Sequence, residues 1–187
     1  CLIGLLVWLQ INGTARLVAL GSLALVAAYP FMKRITWWPQ AWLGMVFSWG
    51  ALVGWLAIDP QFHWAMCLLY FGSIFWVIGF DTIYALQDKE DDAMVGIRSS
   101  ALRLGENVRS GVLVFYLIAL ASWASAFWLL RPQWLGLAAL APIALHLLWQ
   151  IGTLKSADGD DALAKFRSNR FAGLLMFLAC LVLGQAG

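Results

Sequence analysis

Long uncharged stretches, strongly apolar throughout, cover most of this chain and are separated by short charged segments. The stretches run over 1–15, 17–32, 35–58, 60–80, 110–130, 132–154 and 171–187. Each is near or above the roughly 17 residues a helix needs to cross a hydrocarbon core, the first being the weakest. The apolar positions run on without alternating, unlike the period-two pattern of a transmembrane β-barrel. The pattern predicts an all-α polytopic bundle of seven transmembrane helices. It forms a single membrane domain over 1–187, with no room for a separate soluble one.

Composition agrees. Of the 187 residues 63% are hydrophobic and 12% charged, where a soluble domain carries about a quarter charged. Mean hydropathy is +0.80. The net charge of +2 is too small to argue for a nucleic-acid partner. Cys1, Cys67 and Cys180 are far apart in apolar segments and read as isolated thiols, not zinc or disulfide partners. The chain opens at Cys1 inside an apolar run, with no charged region or cleavage site before it, so a start further upstream is expected.

Charge then orients the helices. Every Lys and Arg falls between apolar stretches, and the connecting segments alternate between two sides. One side holds Lys33, Arg34, Lys89, Arg98, Arg103, Arg109, Lys155, Lys165, Arg167 and Arg170. The other holds only Arg16 and Arg131. The basic side is the cytoplasmic one or its topological equivalent. Every acid except Asp59 shares it, so the charged chemistry gathers on one face.

The most informative cluster closes the stretch 60–80: Asp81, Tyr84, Asp88, Glu90, Asp91 and Asp92. On a continuous helix turning about 100° per residue, Asp81, Asp88 and Asp92 share an arc of about 40°. Tyr84 lies beside them, Asp91 falls off the face and Glu90 points away. Acids at a membrane boundary are costly unless a cation is present, so the three form a candidate divalent-cation site. A solvated helix end is the plainer alternative. On the same side, Tyr29 and Lys33 are one turn apart, Arg34 follows, and Pro30 between them is expected to loosen the helix end. Lys33 and Arg34 also fit an ordinary cytoplasmic stop signal. Arg98, Ser99 and Ser100 form a loop that could donate to a phosphate. Asn169 and Arg170 fall at the expected start of the last helix, with Asn169 a cap or packing residue. His146 lies deep in 132–154 and reads as a hydrogen-bonded core histidine; His63 has no visible partner. The phosphate loop, the His-Glu-x-x-His zinc motif and the Gly-x-Ser-x-Gly elbow are absent, which leaves nucleotide-driven pumps and hydrolases without support.

At these residues the chain resembles the UbiA-type intramembrane aromatic prenyltransferases, and within them the branch that prenylates 4-hydroxybenzoate for ubiquinone synthesis. The matching stretches are 29–40 with Leu43 and Gly44, 79–92, 96–105 and 166–169, and the similarity spans nearly the whole chain. Tyr84 inside the acid motif favours this branch over the haem O and chlorophyll synthases. The resemblance implies nine helices around a lipid-open cavity and two Asp-rich motifs. Seven helices are expected here, with about two more and the first motif upstream of Cys1. It also implies transfer of a polyprenyl group from polyprenyl diphosphate to 4-hydroxybenzoate with Mg2+, in a bacterial or mitochondrial inner membrane. The site would face the cytoplasm or matrix. Asp88 and Asp92 would hold magnesium, with Asp81 beside them. Tyr29 and Lys33 would contact the diphosphate, helped by Tyr84 and Arg98. Arg34 would hold the benzoate carboxylate, and Asp81 would orient the phenol or take a ring proton. Another acceptor (a naphthoate or homogentisate), a transporter using Asp81 and His146, and a non-catalytic scaffold stay open as alternatives.

Overall fold

The structure is a computed structural model, and it describes residues 2–185 apart from the Lys33 side chain. Within these residues all regular structure is helical. The helices are α1 (Leu2–Gln10), α2 (Gly13–Ile35), α3 (Pro39–Ile58), α4 (Trp64–Tyr84) and α5 (Lys89–Val95), then α6 (Ser100–Leu104). A 3₁₀ turn (Gly105–Asn107) leads into α7 (Val108–Leu130), followed by α8 (Trp134–Ala138), α9 (Ala141–Thr153) and α10 (Gly159–Gln185).

Among the described residues six segments are long and apolar enough to cross a membrane: Gly13–Met32, Pro39–Ile58, Trp64–Tyr84, Ser100–Leu130, Trp134–Thr153 and Gly159–Gln185. The seventh expected span, over 1–15, is the nine-residue α1, about half the length needed. Asn12 ends that stretch by capping α2. Its side chain accepts from the Ala15 N–H at 3.0 Å and donates to the carbonyls of Leu56 and Ala57. A second boundary also moves. The last helix begins at Gly159, because Asp158 accepts from the N–H groups of Asp160 and Asp161 and the acidic first turn suits a helix N-terminus. Pro30 does not end α2, which runs through it to Ile35.

Contacts confirm the alternation that charge predicts. At the basic end, an Arg98 guanidinium N–H reaches the Ile35 carbonyl at 2.8 Å, and Arg109 caps α9 through the carbonyls of Ile151 and Gly152. At the other end, His63 pairs with Asp59 at 2.9 Å, supplying the partner that the sequence did not reveal.

The core lies between α4, α7, α9 and α10, around Ile83, Val112, Tyr116, Trp123, Phe127, Ile143 and Leu147. The closest packing is α4 on α7, made possible by two glycines seven residues apart. A methyl group on Gly72 would stand 2.7 Å from the Trp123 ring, and one on Gly79 would collide with the Tyr116 ring. Small residues that admit a neighbour this closely are what holds helices together in lipid, where apolar contact alone gives little advantage. The outer faces of α2 and α10 expose Leu17, Leu20, Leu23, Phe177 and Leu181, as expected of surfaces that meet acyl chains.

Candidate functional site

The acid cluster is built at a corner. Helix α4 stops at Tyr84, and i→i+3 bonds from the N–H groups of Leu86 and Gln87 tighten the exit. Ala85 and Leu86 turn inward and are buried, which pins the corner. Asp88 then stands at the N-cap position of the new helix α5, without a side-chain capping bond. The three acids therefore do not share one continuous helix, because a turn over 85–88 separates Asp81 on α4 from Asp92 on α5. Asp88 and Asp92 remain one turn apart on α5, where the Asp92 N–H bonds the Asp88 carbonyl at 2.8 Å. Asp81 belongs to α4 and faces a cavity. Among the described residues no three His, Cys, Asp or Glu side chains come together as a metal site. Asp92 is buried, and both it and Asp81 have interacting partners.

The other expected site residues divide into two groups. Tyr29 is half-buried in α2, six residues before its end. Tyr84 packs on Phe166 with ring centroids 4.6 Å apart. Arg34 is exposed in the last turn of α2, and the Lys33 side chain lies outside the described residues. Arg98 holds the α2–α3 connection, bonding Ile35 and lying 5.5 Å over the Trp37 ring. Ser99 and Ser100 do not form an open phosphate loop; both are buried. Ser99 caps α6 by accepting from the Leu102 N–H. The Ser100 N–H donates to Gln40 at 3.1 Å and its hydroxyl sits 2.7 Å from that of Thr82, whose own hydroxyl reaches the Ile78 carbonyl at 2.6 Å. This chain of bonds ties α3 and α6 to the end of α4, fixing the level at which Asp81 emerges.

A cavity of about 470 Å³ opens beside Asp81. Its walls are Leu43 and Phe47 of α3, Trp76 and Phe80 of α4, and Phe166, Asn169, Gly173, Arg167 and Arg170 of α10. Trp76 donates to the Asn169 side chain at 3.0 Å, and that amide in turn donates to the carbonyls of Lys165 and Phe166. Asn169 is thus a packing residue, as expected, although it sits three turns inside α10. Behind this wall, Tyr116 donates to buried Gln150 at 2.7 Å, and Gln150 bonds Ser168 at 2.8 Å. His146 lies 3.4 Å from Ser168, so it belongs to a satisfied polar core. Lys165 is committed as well, 3.5 Å from Asp161 and 4.3 Å over the Trp149 ring.

Sequence reasoning missed Arg167 and Arg170 as cavity residues, leaving Arg167 before the last helix and putting Arg170 at its start. The signal was present in the helical spacing of Phe166, Asn169, Arg170 and Gly173, and in the cap and acids at 158–161.

Comparison with known proteins accords with this architecture. The UbiA prenyltransferase family model matches residues 1–181. The chain is 43% identical over 183 residues to the mitochondrial 4-hydroxybenzoate polyprenyltransferase of Drosophila melanogaster, covering 97% of this chain and 46% of that protein. It is 41% identical over 186 residues to the Arabidopsis thaliana protein of the same name (99% and 46%) and 46% identical over 169 residues to the Homo sapiens one (88% and 44%). The chain spans about half the length of the curated relatives it matches. No solved structure is significantly similar to it. With its helical membrane bundle and a family match over nearly all of its length, the chain belongs to the UbiA prenyltransferase family.

Proposed function

We propose that the protein to which this chain belongs transfers a polyprenyl group from polyprenyl diphosphate to the ring of 4-hydroxybenzoate, in the service of ubiquinone synthesis. What carries this is a carboxylate pair one helical turn apart at the start of α5, together with an aromatic cavity that Asp81 lines. The names of the relatives support the choice of acceptor.

The reaction joins an aromatic carbon to the allylic carbon of the prenyl chain. The allylic carbon–oxygen bond breaks, diphosphate leaves with the bonding electrons, and the ring then gives up a proton. Asp88 and Asp92 supply hard oxygen donors at helix spacing. That suits magnesium, which takes one or two carboxylates and completes its shell with water and substrate phosphates. When bound, the ion would neutralise the charge that develops on the departing diphosphate. Tyr29, Lys33 and Arg34 at the end of α2 add donors and positive charge for the same group. Asp81 orients the phenol or accepts the ring proton. The aromatic walls keep water from the allylic centre. The bacterial or mitochondrial inner membrane is the setting, with the site at its cytoplasmic or matrix side.

In the full-length protein Asp88→Asn and Asp92→Asn should each lower turnover at least about a hundredfold, as expected when charge stabilisation of a transition state is lost. Expression and melting temperature should stay near the parent values. Parental transfer by either variant at limiting magnesium would remove the pair from the site.

A further inference from the structure

Arg167 and Arg170 sit where a loop cation does not. Helix α10 begins at Gly159, which packs against Gln87 beyond the end of α4. Arg170 lies eleven residues along it, about 16 Å by helix rise. The Trp76–Asn169 bond registers that level on α4, eight residues before Tyr84. The Arg170 backbone is thus on the order of 12 Å below the acidic corner. Arg167 follows Phe166, which packs on Tyr84 at the end of α4, and both arginines are exposed. A cation on the wall of an apolar cavity within a membrane span is costly unless it meets water or an anion, and it marks a functional site by default. Among the described residues neither arginine forms a hydrogen bond or an ion pair. Arg170 stacks 4.8 Å over Phe171. Both line the cavity walled by Trp76, Phe80 and Phe166.

We propose that Arg167 and Arg170, and not Arg34, hold the carboxylate of the aromatic acceptor, with its ring lying among Trp76, Phe80 and Phe166. This rests on the aromatic-acid acceptor proposed above. A guanidinium fork matches a carboxylate through two parallel hydrogen bonds, and the aromatic walls match the ring. A prenyl tail gains nothing from two cations. A diphosphate belongs with Asp88 and Asp92, beyond the end of α4. Arg34 is exposed as Arg167 and Arg170 are, but unlike them it does not line the cavity. With its carboxylate at the arginines, a para-substituted acid turns its hydroxyl end toward the terminus of α4, the end that bears Asp81.

The test uses full-length protein with polyprenyl diphosphate and 4-hydroxybenzoate. Arg167→Gln and Arg170→Gln should each raise the acceptor KM about tenfold to a hundredfold, the range expected for a lost charge-assisted bond, while the donor KM stays within about twofold. Both variants should also lose their preference for 4-hydroxybenzoate over 4-hydroxybenzamide, which lacks the negative charge. Calorimetric titration with 4-hydroxybenzoate alone should show the same loss of affinity without turnover. If the glutamine variants do not accumulate in membranes, Arg170→Lys carries the test. It keeps the charge but loses the fork, so it should raise the acceptor KM selectively. An unchanged acceptor KM and affinity in these variants would overturn the assignment, as would Arg34→Gln alone raising the acceptor KM, or a rise confined to the donor KM. Parent protein that neither binds nor prenylates any aromatic acid would instead overturn the function on which the assignment rests.

Discussion

The two faces of α4 differ in kind. Toward α7 the helix is small and tightly filled: Gly72 admits Trp123, Gly79 admits Tyr116, and both rings are almost wholly buried. Toward α3 and α10 the same helix presents Trp76, Phe80 and Asp81 to an open cavity. The first face uses close approach to hold helices together where lipid removes most of the hydrophobic drive. The second packs more loosely, through Phe47, Phe166 and Asn169, and leaves space with a charge beside it, an arrangement that suits a ligand. A single helix can therefore carry the scaffold and the chemistry, provided the scaffold face is rigid enough to position the other.

Substitutions on the two faces should separate those roles. The largest effect is expected at Asp81. In the full-length protein Asp81→Asn should lower kcat about a hundredfold to ten-thousandfold if the carboxylate handles a proton, with the thermal midpoint in detergent little changed. A fall in the midpoint matching the loss of activity would make Asp81 structural and dissolve the contrast. Next is Gly79→Leu, which drives a branched side chain into Tyr116 and should destabilise the bundle by about 3 kcal/mol or prevent its accumulation. A stable, active Gly79→Leu protein would mean that α4 and α7 are not held as described. Arg98→Ala removes one bond to Ile35 and the contact with Trp37. Its expected cost is about 1 kcal/mol, seen as faster proteolysis of the α2–α3 connection. The smallest effect belongs to Gly54→Ala on an open part of α3, with nothing within 4 Å of an added methyl group. It should leave stability unchanged or raise it by up to about 1 kcal/mol, and a clear loss would show that α3 is less open than it looks.

How much of this was legible depended on the range of the interaction concerned. The membrane class, the alternation of sides and the gathering of acids all follow from local composition, because hydrocarbon penalises exposed charge wherever it falls. His146 was read as a hydrogen-bonded core residue for the same reason, and Asn169 as a cap or packing residue although its depth in α10 was not foreseen. The errors lie at helix ends. Asp81, Asp88 and Asp92 were put on one face because nothing in the pattern marks the break at Ala85 and Leu86, where two apolar side chains are drawn into the core by tertiary packing. Ser99 and Ser100 suggested phosphate donors, since their partners Gln40 and Thr82 come from distant segments.

The sequence by itself determined that this is a helical membrane protein with its charged chemistry on one side, and that its motifs resemble those of an aromatic prenyltransferase. Burial energetics act residue by residue, and any apolar run of sufficient length obeys them. It took the fold to break the helix between Asp81 and Asp92, to start α10 twelve residues before Phe171, and to bring Arg167 and Arg170 to a cavity wall. Those outcomes depend on where one helix end meets another, and in this chain the deciding contacts, such as Gly159 with Gln87 and Trp76 with Asn169, join residues far apart in sequence.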